Sequence, residues 1–359
     1  MLIAMATLLL SFQDETAFDR AYAAYKEGRL EEAERLYREA LREYPSSVGA
    51  HYELGLVLKD LNKLDDAERE FNEAAKLDAT FAPAQAELGA VYIARDQPDL
   101  ARKALEKAVK LDDKDPLAQC RLGYAYFLLK EYAKAKKALE AALKLEPEYT
   151  LARYDLGRTL IELGDKPAGI DMLLRAYEAD PEDAETFAAL RAVVAKDGTD
   201  EDREYVSALD ELAKGELDKA VERAKKLLES GETGRKLALL GLATKDPEKL
   251  RLAIKKDSKF PRAMVNRLME AIVRALLAKG EFADAESAAR DAVKYDASRA
   301  EHMYLLACAQ ARQAKKRQAC QSLEKALELG DRAKLIDRAK ADEHLKTLEG
   351  YPEFDRLVQ

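Results

Sequence analysis

Tryptophan is absent from this chain, and histidine and cysteine are scarce: 359 residues include three of each. His51, His302 and His344 stand far apart with no paired ligands nearby, so neither a histidine metal site nor a catalytic histidine is expected. Cys120, Cys308 and Cys320 are too few and too scattered for a disulfide framework. Only Cys308 and Cys320 could meet, across one helix pair, and buried thiols acting as small apolar side chains are the expected state. No glycine-rich phosphate loop, serine elbow or Cys-His pairing interrupts the sequence. A basic stripe is missing too. The 60 basic and 68 acidic residues are interspersed and leave a net charge of -8, which argues against nucleic acid as the main partner. The same mixing makes Lys103, Lys107, Lys110, Lys130, Lys134, Lys136 and Lys137 solvated helix surface. No catalytic residue, metal or cofactor is expected.

Helix formers are what the chain has in plenty. Hydrophobic residues make up 48% and charged residues 36%, with Ala, Leu, Glu, Lys, Asp and Arg dominant. That excludes a disordered chain and predicts helices with heavily solvated faces. The length suits two globular domains or one extended repeat array. Residues 1–13 differ from the rest: Met1 to Phe12 is almost wholly apolar, and no charge precedes Asp14. The segment has the apolar core of a secretory signal in Leu2 to Leu10, without a basic start or a good small-residue cleavage site. It is too short for an ordinary membrane span. Being apolar on all sides, it is read as an export signal, with a cap over the first repeat as the alternative. The export reading places the chain in the periplasm rather than the cytoplasm.

A period of 34 residues runs through the first half. Gly55, Gly89, Gly123 and Gly157 keep that spacing, and Leu54, Leu88, Leu122 and Leu156 precede them. Ala33, Ala67, Ala101 and Ala135 share it, as do Ala40, Ala74, Ala108, Ala142 and Ala176. Pro45, Pro147 and Pro181 fall on the same lattice. Glycine inside a helix costs propensity, so its fixed register implies close approach of a second helix. Small alanines would face it, and proline would end that second helix. The unit is two antiparallel helices joined by a turn, with Gly28 in the first turn and Gly164 in the fifth. No unit buries its apolar face alone, so neighbours must stack.

These residues resemble the tetratricopeptide repeat of bacterial proteins. Leu88-Gly89 with Tyr92, and Leu122-Gly123 with Tyr126, carry the first half of its pattern. Ala33, Tyr37, Ala40 and Pro45 carry the second, as do Ala67, Phe71 and Ala74. The family's Trp is missing; His51, Gln85, Gln119 and Arg153 occupy its place. The resemblance implies an all-α fold, an α-solenoid of stacked antiparallel helix pairs forming a right-handed superhelix. It predicts five regular repeats over 14–183, divergent helical repeats over 184–257 with a polar break and hinge at 196–202, and two further repeats over 258–330. Capping helices are expected over 331–359.

The resemblance also implies that the first helix of each repeat lines a concave side. Residues four and seven apart share a helix face. The expected peptide-binding residues are Phe18, Tyr22, Tyr25, Tyr52, Leu56, Lys59, Tyr124, Phe127, Tyr154 and Arg158, with Ala86 and Ala90 leaving room between them. Tyr and Arg dominate binding hot spots because they join apolar area to a polar end. Packing against neighbouring repeats would account for each tyrosine singly. Members that hold the acidic tails of chaperones use Lys, Asn and Arg on the first three concave helices. Phe18, Tyr22, Glu53, Ala86 and Glu87 stand there instead, so no chaperone tail is expected. The function expected is a non-catalytic scaffold binding another protein through a mostly apolar peptide or helical segment, with Lys59 and Arg158 at the edges. Self-association into a homo-oligomer is the alternative. An enzyme hidden in 184–257, which holds no His or Cys, is the third and least favoured reading.

Overall fold

In the computed structural model, which describes residues 16–359, the 34-residue period becomes a series of helix pairs. The apolar segment 1–13 lies outside the described residues. Regular structure among the described residues is wholly helical, 21 α-helices and one 3-10 turn at Lys346–Leu348. They form two compact units that meet in sequence at Met172 and Leu173. The first unit holds α1 (Ala17–Lys26), α2 (Leu30–Glu43), α3 (Val48–Asp60), α4 (Leu64–Leu77), α5 (Ala82–Ala94), α6 (Pro98–Leu111), α7 (Pro116–Leu128), α8 (Tyr132–Leu145) and α9 (Thr150–Glu162). Helix α10 (Lys166–Ala179) starts in the first unit and ends in the second. The second unit continues with α11 (Ala184–Asp197), α12 (Asp200–Ala213), α13 (Leu217–Glu229), α14 (Gly234–Thr244), α15 (Pro247–Lys256) and α16 (Arg262–Lys279). It closes with α17 (Phe282–Tyr295), α18 (Ala300–Ala311), α19 (Lys316–Leu329), α20 (Arg332–Ala341) and α21 (Pro352–Leu357).

The glycine lattice marks the tightest contact in each pair. A Cβ on Gly55 would stand 2.5 Å from the Phe71 ring, on Gly89 2.3 Å from Leu105, and on Gly123 2.5 Å from Leu139. Each of those partners lies sixteen residues on, in the second helix of the pair. Ala33, Ala67, Ala101 and Ala135 are fully buried beside them. In the first unit the first helices of successive pairs also touch, α3 with α5, α5 with α7 and α7 with α9, whereas α2, α4, α6 and α8 share no contact of that extent. The first helices therefore form the inner side of this stack.

Every turn within a pair is closed in the same way. Gly28, Asn62, Asp96, Lys130 and Gly164, again 34 apart, have φ of 76, 59, 54, 60 and 89°. The next residue's N–H reaches back to the carbonyl five before it: Arg29 to Ala24, Lys63 to Leu58, Gln97 to Tyr92, Glu131 to Tyr126 and Asp165 to Leu160, at 2.8–3.0 Å. This is the left-handed closure that ends helices most economically for glycine. Gly280 and Ala314 repeat it in the second unit, with φ of 80 and 59°. Alanine in that conformation costs about 1–2 kcal/mol. Ala314→Gly should therefore stabilise the second unit by about 1 kcal/mol after the entropy of glycine is deducted. A raised thermal midpoint checks this, and an unchanged one refutes it.

Of the polar stretch 196–202, only Gly198 and Thr199 lie between helices. Thr199 Oγ1 accepts from the Asp202 N–H at 3.1 Å, and Asp202 accepts from the Thr199 N–H at 2.9 Å. The residues are polar because they sit at two helix ends, and Asp200 and Glu201 suit the positive start of α12. The compact units divide within α10 and not at this stretch.

Where the family's Trp would stand, polar side chains reach back six residues to a backbone carbonyl. His51 Nε2 lies 3.0 Å from Pro45 O, Gln119 Nε2 donates to Asp113 O at 3.4 Å, and Arg153 donates to Pro147 O. All three cysteines are free and buried. In the second unit, buried Glu286 accepts from Lys315 (2.5 Å), Arg290 (2.6 Å) and Gln313 (2.8 Å). Burial pushes its pKa up, but these donors outweigh burial and bring it to about 2. A carboxyl held below its unfolded value stabilises the fold above the unfolded pKa and loses that contribution as pH falls through the folded one. The thermal midpoint should thus fall between pH 4.5 and about 2, and Glu286→Gln should flatten that fall. An identical slope in the variant would show that other groups carry it.

Candidate binding face

All ten side chains read as groove residues lie on first helices of the first unit, in α1, α3, α7 and α9. Only Tyr22 is largely exposed, at 44%, and the other nine are half-buried. Their engagements differ. In α1, Phe18 packs edge-on against Tyr37 at 5.5 Å, and Lys26 Nζ stands 5.7 Å from the Tyr22 ring. Tyr25 donates to Asp60 Oδ2 at 2.8 Å, tying α1 to α3; burial first, then that bond, raises its pKa above the ordinary tyrosine value.

Tyr52 is wedged against Phe71 at 5.9 Å and Phe81 at 5.2 Å, and burial pushes its pKa up to about 12. It belongs as much to the core as to the surface. Leu56 packs beside it against the same cluster. Lys59, expected at the groove edge, is paired with buried Glu87. Glu87 also accepts from Arg121 at 2.8 Å, so one carboxylate ties α3, α5 and α7 together. Burial raises its pKa, and Arg121 and Lys59 together more than reverse that, holding it below the usual carboxylate value. Such a clamp is lost only at considerable cost, since removing one partner strands a buried charge.

The far end is aromatic. Tyr124 and Phe127 stack with centroids 6.5 Å apart and planes 8° from parallel. The Arg158 guanidinium lies 4.5 Å from the Phe127 centroid and 5.3 Å from that of Tyr154. Its Nη1 stands 3.8 Å from Asp155 Oδ1. Stacked arginine offers its ring-facing plane to the protein and its donor edge to a ligand. Ala86 is buried and Ala90 half-buried, so the middle of the face is low between two aromatic ends.

Sequence reasoning missed Asp60, Glu87, Arg121 and Asp155. Each occupies a first helix; distances between repeats reveal Asp60, Glu87 and Arg121 as partners, and Asp155 meets Arg158 one turn away on the same helix. Charges on this face are mostly satisfied internally, so what it offers a ligand is ring, alkyl and methyl surface. Among the described residues no group of three or more His, Cys, Asp or Glu could hold a metal ion, and no helix is long and apolar enough to cross a membrane.

Comparison with known families places this geometry. A tetratricopeptide-repeat profile matches residues 18–83, 87–135 and 270–343, more than half of the chain, and a second such profile matches 126–194. No match was found among curated proteins. Among solved structures, MamA from Desulfovibrio magneticus RS-1 is 24% identical over 48% of this chain and 98% of its own, with a TM-score of 0.44. YrrB, described as a tetratricopeptide-repeat protein with an unusual peptide-binding site, is 22% identical over 52% and 97%, at 0.43. PilF of Pseudomonas aeruginosa is 18% identical over 59% and 89%, at 0.42. Stacked helix pairs joined by a repeated glycine contact define an α-solenoid. The chain belongs to the tetratricopeptide-repeat family. That fold suggests a protein–protein interaction scaffold, and proteins of the family are generally non-catalytic.

Proposed function

We propose that the first unit holds a peptide or helical segment of another protein against the inner face of its first helices. The observation that carries this reading is the set of part-exposed Tyr22, Leu56, Tyr124, Phe127, Tyr154 and Arg158 on the first helices α1, α3, α7 and α9, either side of the low middle formed by α5. Such side chains combine apolar area with a polar edge and lose little entropy when covered. A stacked array is largely preformed, so the partner bears most of the ordering cost. The favoured ligand is a mostly apolar segment, with an acidic group near the donor edge of Arg158.

The test is selection of binders from a displayed peptide library on the purified chain, followed by titration of the best one. Tyr22→Ala, Tyr124→Ala and Tyr154→Ala combined should weaken it by at least about tenfold, roughly 1.4 kcal/mol or more. Tyr52 is left intact because its ring sits between Phe71 and Phe81. Unchanged affinity in a variant with a native circular dichroism spectrum would remove the inner face of the first unit as the site.

A further inference from the structure

The end of α10 is held by residues far downstream in the sequence. Arg175 donates to the Lys259 carbonyl, 84 residues away. Glu178, 4% exposed, receives a two-pronged bond from Arg235: Nε to Oε1 at 2.6 Å and Nη2 to Oε2 at 3.3 Å. Tyr177, 6% exposed, stacks on Phe187 with centroids 4.8 Å apart. A repeat array is built from contacts between neighbours; Phe187 is on the next helix, but Lys259 and Arg235 are not neighbours of α10.

What the segment lies on is informative. Tyr177 and Glu178 share a crevice with Tyr205, Leu209, Leu239, Leu242, Met264 and Arg267, all in the second unit. Those residues belong to α12, α14 and α16, which touch one another as first helices do in the first unit. Tyr205 and Leu209 stand ten and six residues before the positive-φ Gly215, as Tyr52 and Leu56 stand before Asn62. The end of α10 therefore covers the face of α12 that corresponds to the inner face of the first unit. A helix laid against such a face is the usual way a groove of this kind receives a ligand. The fit is incomplete: a void of about 30 Å³ remains, room for one water, and Arg267 forms no hydrogen bond or ion pair among the described residues.

We propose that residues 173–179 are an internal ligand of a groove in the second unit, and that this groove takes a partner's helical segment carrying an aromatic residue followed directly by glutamate. A further acidic residue on that segment would meet Arg267. The partner competes with the chain's own helix, so its apparent affinity is reduced by the fraction of molecules in which α10 is docked.

The test uses the full chain with Tyr177→Ala and Glu178→Ala, and a fluorescein-labelled peptide of residues 170–182 read by anisotropy. The variant should keep its helical circular dichroism and bind the peptide at least about tenfold more tightly than the unaltered chain. A peptide with alanine at both positions should not bind. A folded variant that binds no better than the unaltered chain would overturn the proposal. So would a variant that loses its helical signal, because a removable ligand leaves a folded groove behind. Hydrogen exchange on the unaltered chain decides independently. Amides of 174–179 exchanging about tenfold faster than those of α14 support an internal ligand, and equal protection makes the segment ordinary core.

Discussion

Tyr304→Ala is expected to lower the stability of the second unit by about 3–5 kcal/mol, the loss typical of a large buried ring. Tyr304 is 0% exposed and among the largest fully buried side chains. Two side chains, one from α20 and one from the residue that follows that helix, meet Tyr304. Its hydroxyl donates to Asp342 Oδ2 at 2.9 Å, and the Arg338 guanidinium lies 3.9 Å from its ring centroid. Arg338 in turn donates to Glu301 at 2.6 and 3.0 Å, so the ring is roofed by an ion pair between α18 and α20. Tyr304→Phe keeps the ring and its roof but leaves Asp342 Oδ2 with only the Cys308 thiol at 3.7 Å, with a cost of about 1–3 kcal/mol. Denaturant unfolding followed by far-ultraviolet circular dichroism separates the two. Equal losses would mean that the hydroxyl, not the ring, carries the contact.

In the first unit Leu105→Ala should cost about 2–5 kcal/mol, because its side chain is fully buried on Gly89. Gly89→Ala should also destabilise, by about 1–3 kcal/mol, against the gain that alanine usually brings inside a helix. A Cβ there would meet the Leu105 Cγ at 2.3 Å. The two changes touch the same space from opposite sides. The double variant should therefore lose less than the sum of the singles, by about 1 kcal/mol or more. Strict additivity would show that the glycine is not there to admit Leu105.

Both predictions rest on features of different visibility in the sequence. The glycine contact was readable, because Leu-Gly and the alanine series repeat at 34 residues and a helix has few other uses for glycine. The turn residues were only half visible. Gly28 and Gly164 announce a left-handed turn, whereas nothing in the chemistry of Lys130 or Ala314 does so. There the register alone imposes the conformation. Placement of the ten face residues on first helices follows from the period, but their roles depend on contacts between repeats. Lys59 reads as a free cation until Glu87, 28 residues on, is found beside it. Tyr52 reads as a binding residue until Phe71 and Phe81 are seen on its ring. Glu178 and Arg235 are 57 residues apart and off the lattice, so no local pattern could pair them.

The recurring turn has a consequence for how such a chain can change. Each left-handed residue sits at a fixed distance from the glycine seat before it and the next one after it, so the sequence is read in a frame. A single deletion within α5 would carry Asp96 out of its turn and bring a helical residue into it, and every contact up to the next joint would be misaligned. Removing residues 82–115 as a block would instead bring a proline-led first helix against α4 with all seats in step. Variation in length is thus tolerated in whole modules and penalised in fractions, much as a reading frame forgives triplets and not single bases.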